Sequence, residues 1–214
     1  MYLQICNDQG QYSGYETHGN SWRQSGRSHT DVMPYIPPVL ARREISTNRF
    51  LSYIEEDIGD PTGRAYTYYQ VESIWDGVII VPVLSDGRLV LERIYRHPYR
   101  RDFLEFPAGG INHGESPLAA AARELEEETG YRVSTLRLLG AYEALPGLLR
   151  MRMHVVLAEG LTQTGTRQHE TMELIEVVEM TEAAAWAEAD REVPSSLLSV
   201  GLLHLLRDRR HQHA

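Results

Sequence analysis

Apolar residues fall in short runs separated by turn-forming clusters, and in three places they take a helical setting. NRFLSYIEEDI and RAYTYYQVESIW, within residues 45–75, are rich in aromatic and β-branched residues. Gly59-Asp60-Pro61-Thr62-Gly63 joins them with turn chemistry, so a small antiparallel subdomain is predicted. Asp76-Gly77 leads into VIIVPVL, an apolar run suited to a buried strand. Ser85-Asp86-Gly87-Arg88 is a hairpin turn, and LVLERIY is the return strand. A basic loop, RHPYRRD, precedes FLEFPAGG. VSTLRLLGAYEAL and MRMHVVLAEGL are predicted strands on either side of Pro146-Gly147, and LIEVVEM is another. Thr181 caps a predicted helix, EAAAWAEAD, and Pro194-Ser195-Ser196 opens the last one, LLSVGLLHLLRDR. The first 44 residues differ: QGQYSGYETHGNSWRQSGRSHT is polar, glycine-bearing and nearly free of aliphatics, and reads as an irregular arm. The expected fold class is α+β: a mixed sheet between helices, with the β subdomain at its N-terminal side.

The most informative stretch is GGINHGESPLAAAARELEEETGY, residues 109–131. Ser116 suits an N-cap, Pro117 the first helical position and Gly130 a C-terminal cap. Leu118, Ala122 and Leu125 recur at i, i+4, i+7 and form the predicted buried stripe. Ala119 to Ala122 let that face approach a sheet closely. Glu124, Glu127 and Glu128 recur at i, i+3, i+4 on one face. Like charges so spaced oppose the helix by about 0.2–0.5 kcal/mol per pair, a cost that a cation reverses. Hard divalent ions take oxygen ligands and sit between carboxylates and substrate phosphates. A solvated acidic face is the ordinary alternative.

Composition narrows the classes. A chain of 214 residues has room for one substantial core and a small appendage. Its formal charge of −9 disfavours broad nucleic-acid binding. An anionic substrate would then require bound cations and local arginines, and Arg96, Arg100 and Arg101 stand on the loop before residue 109. Cys6 is the only cysteine, so neither an intrachain disulfide nor a cysteine zinc site is available. With no run of about 18 apolar residues and no signal-like N-terminus, no membrane span is expected and a cytoplasmic location is.

The spacing is specific: Gly109, five residues, Glu115, seven residues, Arg123-Glu124-Leu125, one residue, Glu127-Glu128, one residue, Gly130-Tyr131. It resembles the Nudix box at every defining position. The flanks, LEFPAGGINHGE, Pro146-Gly147, DPTG and DGVIIVPVL, resemble ADP-ribose and ADP-sugar diphosphatases within that superfamily. The resemblance implies a Nudix domain over 76–214, a β subdomain over 45–75 for dimerisation and base binding, and Mg²⁺, with Mn²⁺ as a substitute. It implies metal ligation by Glu124, Glu127 and Glu128, with Glu105 and the Ala108 carbonyl as further candidates. Gly109, Glu115, Arg123 and Gly130 would be structural. Glu173 is the implied base for water activation, with Glu170 as the alternative and Glu127 counted among the catalytic carboxylates. Arg96, Phe50, Tyr68, Pro146 and Gly147 would bind substrate, with Phe50 and Tyr68 clamping adenine from two subunits of a homodimer. Ser73 and Leu145 stand where relatives carry a basic residue and an aspartate. The implied reaction is hydrolysis of the diphosphate of ADP-ribose or a related nucleoside-diphosphate sugar. Other substrates (a GDP-sugar, an NADH-like dinucleotide, capped RNA) and a non-catalytic nucleotide-binding regulator are the alternatives.

Overall fold

The computed structural model describes residues 4–6, 12–14, 35–164, 175–191 and 193–212. The chain divides into two units, Met1–Pro37 and Pro38–Ala214. In the first, β1 (Gln4–Cys6) pairs antiparallel with β2 (Tyr12–Gly14).

The second unit begins with an antiparallel meander of β3 (Val39–Thr47), β4 (Leu51–Gly59) and β5 (Ala65–Ser73). Its first strand starts inside the stretch expected to be an arm. The reason is electrostatic. Every residue of β3 is exposed, so no apolar periodicity marks it. Its place beside β4 is fixed by ladder bonds and charge pairs: Arg43 donates to both Asp57 oxygens (2.6 and 2.9 Å), and Arg42 reaches across to Glu72 (2.8 Å). The hydrogen bond from Arg43, then that from Thr67, holds the Asp57 carboxyl down at about 2.

Next come β6 (Gly77–Pro82), β7 (Leu89–Arg96), β8 (Arg101–Glu105), β9 (Ala108–Gly110) and α1 (Pro117–Thr129). They are followed by β10 (Tyr131–Arg132), β11 (Thr135–Leu145), β12 (Leu149–Glu159), β13 (Thr162–Gln163), β14 (Ile175–Met180), α2 (Glu182–Arg191) and α3 (Ser196–Gln212). The main sheet runs β3-β4-β5-β12-β6-β9, with β11 also pairing β12. β12 lies parallel to β6 from Met153 to Ala158 and, at its start, parallel to β5. β14-β7-β8 form a second sheet, and β10 pairs with β13.

All of β6 is buried, and its side chains alternate between two cores. Ile79 and Val81 join Phe106, Met153, Val155, Leu198, Leu202 and Leu205 under α3. Val78 and Ile80 join Val90, Val156, Ala120, Ala121 and Leu125 under α1. The sheet is thus sandwiched by helices, an α+β arrangement. Gly201 of α3 admits the Phe106 ring: a Cβ there would lie 2.3 Å from Cδ2. The buried stripe of α1 is Ala120, Ala121, Leu125 and Thr129, not one starting at Leu118, which is 38% exposed. The alanines carry the close contact, and Leu118 lies in the first turn outside it. No helix among the described residues is long and apolar enough to cross a membrane.

Candidate active site

The site is built where β9 turns into α1. Ser116 caps the helix by accepting from the Ala119 N–H (3.2 Å), Pro117 fills its first position, and Gly130 ends it in the left-handed region at φ 74°. These caps fix the rotation of the helix, and with it the direction in which its glutamates project.

Arg123 organises the cluster. Its Nε and Nη2 donate to the two oxygens of Glu115 (3.0 and 2.9 Å), a bidentate pair that fixes the guanidinium plane. Nη2 also donates to the Gly110 carbonyl (2.8 Å), and Nη1 donates to Glu124 (2.7 Å) and Glu127 (3.2 Å). Glu115 further accepts from the Asn112 N–H (3.0 Å). One cation therefore binds loop, strand and helix together and offsets three carboxylates. Its hydrogen bonds, above all, hold Glu115 below the usual carboxylate range. Glu124 behaves oppositely: burial pushes its carboxyl up, and the Arg123 bond only partly opposes this.

Glu124 owes its place to Gly109. A Cβ on Gly109 would fall 2.0 Å from the Glu124 carboxyl carbon, so only glycine leaves room for that carboxylate against the strand. Glu128 accepts from the Ala108 N–H at 3.2 Å. Ala108, Gly109, Gly110, Glu115, Arg123, Glu124, Glu127 and Glu128 therefore form one cluster. Beside it on β8, buried Glu105 (4% exposed) accepts from Arg96 Nε (3.1 Å) and Nη2 (2.5 Å). The Arg96 side chain is still part-exposed. Arg101, by contrast, covers Phe103 at 4.1 Å and donates to the Val193 carbonyl (2.8 Å).

Two residues near this cluster escaped the sequence pattern. Glu92, 2% exposed, is the cross-strand partner of Glu105. Its signal was a charge at an inward-facing position of an apolar run. Trp75 lies over Gly110, where a Cβ would meet its Nε1 at 3.1 Å. No periodicity marks it, because it precedes β6 in a turn.

The expected base-binding residues fall into two groups. Phe50 meets Trp75 edge-to-face at 5.9 Å, and Arg49 lies 4.5 Å over its ring. The Tyr68 hydroxyl donates to the Gly147 carbonyl (2.6 Å), joining β5 to the turn that also holds Pro146. Within one chain the two aromatics are separate. Phe50 accepts from Ile74, and Tyr68 precedes Ile74 by six positions, about 20 Å along a strand. Glu170 and Glu173 lie outside the described residues.

The donor set suits a hard divalent cation: glutamate carboxylates and a backbone carbonyl, without thiolate or imidazole. As the side chains stand, Glu124 and Glu127 face Arg123 and Glu128 faces the Ala108 N–H. Among the described residues no three potential ligands converge on one point. Rotation of the glutamate side chains about their own bonds is what enclosing an ion would require. A buried carboxylate with a raised pKa, such as Glu124, is the group whose ionisation a cation would favour most.

Comparison with known proteins defines the class. The NUDIX domain family matches residues 74–197, so the chain belongs to it and is a Nudix hydrolase of the ADP-ribose diphosphatase-like group. Hydrolases of this family generally use divalent metal ions. Among its relatives, an ADP-ribose pyrophosphatase of Bacillus subtilis is 32% identical over 143 residues, 66% of this chain and 77% of that protein. An ADP-sugar pyrophosphatase of Mus musculus is 36% identical over 140 residues, 61% of this chain and 64% of that one. A methanol dehydrogenase activator of Bacillus methanolicus is 27% identical over 178 residues, 81% and 95% of the two chains. The crystal structure of an ADP compounds hydrolase shares the fold, with a TM-score of 0.74 at 24% identity, covering 82% of this chain and 95% of that one.

Proposed function

We propose that the protein is a Mg²⁺-dependent hydrolase of ADP-ribose or a related nucleoside-diphosphate sugar, giving AMP and a sugar phosphate such as ribose 5-phosphate. The observation that carries this reading is the complete carboxylate cluster around Arg123, on a chain similar to ADP-ribose and ADP-sugar pyrophosphatases. Glu124, Glu127 and Glu128, with the Ala108 carbonyl and Glu105 beside them, are the residues that would hold the metal. When bound, Mg²⁺ or Mn²⁺ offsets the charge of the diphosphate and acidifies the attacking water. Arg96, part-exposed and oriented by Glu105, donates to a phosphate oxygen. Glu173 takes the proton from water, with Glu170 as the alternative, as water adds to one phosphorus and the bridging P–O bond breaks. Gly109, Glu115, Arg123 and Gly130 keep helix and loop in register.

Phe50 and Tyr68, about 20 Å apart along the strands of one chain, meet on a single adenine only if two copies supply them. Val39, Leu40, Ile45, Leu51, Tyr66 and Tyr69 leave the meander with exposed apolar surface for such a two-fold dimer. Sedimentation checks this: a fully active monomer excludes the shared clamp.

The similarity to a methanol dehydrogenase activator, over 81% of the chain, favours a second reading in which the domain regulates a partner enzyme. An intact carboxylate cluster is not needed for nucleotide binding alone. The test is phosphate release, with coupled phosphatase and Mg²⁺ or Mn²⁺, from ADP-ribose, a GDP-sugar, NADH and capped RNA. Turnover of ADP-ribose with the highest kcat/KM is expected. Preference for another member of the panel would replace the substrate, and no turnover of any would leave the regulatory reading.

A further inference from the structure

The β7–β8 hairpin carries three arginines near its tip, and each is held differently. Arg96 folds back onto the buried carboxylate of Glu105. Arg101 lies over Phe103 and donates to the Val193 carbonyl. Arg100 does neither. It is exposed, and among the described residues its guanidinium makes no hydrogen bond or ion pair. It is also the one described residue other than glycine with positive φ, 53°.

The four residues from His97 to Arg100 must reverse the chain between Arg96 and Arg101, the last cross-strand pair. The Arg96 carbonyl accepts from the Tyr99 N–H (3.0 Å) and from the Arg100 N–H (2.9 Å), which also reaches the His97 carbonyl (3.2 Å). A turn closed in this way ends on a left-handed residue before the return strand begins. Glycine adopts that conformation without steric cost, whereas the Cβ of an arginine is crowded against its own backbone there. Turn geometry thus accounts for the left-handed backbone and not for the arginine. Local strain of this kind clusters where a side chain has work at a functional site. The charge pattern agrees. From Arg93 to Arg101 the chain holds four arginines, one histidine and no acidic residue, although its formal charge is −9. One such turn, at 1.5 Å per residue, sets the Cα atoms of Arg96 and Arg100 about 6 Å apart.

We propose that Arg100 is a second phosphate-binding arginine, which with Arg96 grips the diphosphate and makes the site select an anion of two phosphoryl groups. Arg96 gives two of its donors to Glu105, so its orientation is fixed and its free donors are few. Arg100 keeps all five donors for the ligand. This rests on the nucleoside-diphosphate reading given above, but inorganic pyrophosphate tests it apart from turnover.

The full-length protein is titrated calorimetrically with inorganic pyrophosphate in the presence of Mg²⁺. Arg100→Gly removes the side chain and suits the backbone, so Tm should equal or exceed that of the wild type. The same variant is expected to raise Kd for pyrophosphate about tenfold, the lower end for a hydrogen bond to a charged group. KM for ADP-ribose should rise by a similar factor with kcat little changed. Arg100→Lys, which keeps the charge without the planar fork, is expected to fall between the two. Arg93→Gln removes a part-exposed charge from the same hairpin and is expected to leave Kd within twofold. The assignment would be overturned by absence of pyrophosphate binding in the wild type, by a Kd within twofold of it in Arg100→Gly, or by a lower Tm in that variant. An equal loss in Arg93→Gln would also overturn it, since the effect would then be a general field of the hairpin. If ADP-ribose is not turned over but pyrophosphate binding still depends on Arg100, the role of the arginine stands and the substrate assignment falls.

Discussion

Replacing Gly109 by alanine tests whether the position of the Glu124 carboxylate governs the reaction. The backbone imposes no obstacle, because Gly109 is not among the glycines with positive φ. The added Cβ would lie 2.0 Å from the Glu124 carboxyl carbon and 2.2 and 2.4 Å from its oxygens. Ordinary contact begins near 3.4 Å, so the carboxylate must withdraw by about 3.4 − 2.0 = 1.4 Å. That exceeds the roughly 1 Å misplacement that can cost on the order of 10²-fold in rate. It also strains the 2.7 Å bond from Arg123. We expect kcat for ADP-ribose at saturating Mg²⁺ to fall by about 100-fold or more, with a higher Mg²⁺ concentration for half-activation. The fold should persist, since the clash falls on one side chain and removing a strand glycine lowers unfolded-state entropy by about 0.4–1 kcal/mol. Phosphate release measures the rate, and a thermal melt separates inactivity from unfolding. Gly110→Ala provides the contrast: its Cβ meets Trp75 at 3.1 Å, so the indole need give only a few tenths of an ångström, and kcat should stay near the wild-type value. A Gly109→Ala enzyme within threefold of wild-type kcat, with unchanged Mg²⁺ activation, would refute the role given to Glu124.

Glu173→Gln is expected to slow turnover by roughly 10²–10⁴, the range of a lost general base, with Mg²⁺ activation little altered and Glu170→Gln doing less; the reverse order in steady-state assays would transfer the role. Gly201→Ala sets about 1–3 kcal/mol of overpacking against Phe106 over a helix-propensity gain of about 1 kcal/mol, so Tm should fall by several degrees; a melt at or above the wild-type Tm would contradict the packing. Arg137 ties α3 to β11 through both oxygens of Asp208 (2.6 and 2.8 Å), and those bonds hold Asp208 below its ordinary 3.8. A depressed carboxylate pKa contributes stability above 3.8 that is lost as pH falls through the folded value. Arg137→Ala should therefore cost about 0.2–1 kcal/mol at pH 7, allowing for solvent screening, and nothing at pH well below 3.8. Urea titrations across pH measure this, and a pH-independent difference would exclude the ion pair as its source.

Most of the cluster around Arg123 was legible because local rules govern it. Caps at Ser116 and Gly130 and the i, i+3, i+4 glutamates belong to one continuous helix, and their directions follow from its period. What escaped depends on contacts distant in sequence. Leu118 was misjudged because the four alanines, rather than the larger side chain, set the closest approach to the sheet. β3 was missed because ion pairs to Asp57, Glu56 and Glu72 hold it in place of apolar burial. Trp75 is visible as a neighbour of the cluster only once Gly110 is seen beneath it, and Glu92 only once β8 brings Glu105 opposite.

β12 is shared unequally. It meets β6 at six register positions but the meander at only two, Leu149 with Val71 and Arg150 with Glu72. Amides of β3 and β4 should therefore exchange with solvent through a local opening that leaves the β6–β12 centre closed, at well below the free energy of global unfolding. Phe50 and Tyr68 lie on the meander side of this narrow junction, while α1 packs on the β6–β12 centre. On the proposed reading, substitutions in the meander can then accumulate without being felt by the carboxylate cluster, and a lineage could change its nucleotide while keeping its chemistry.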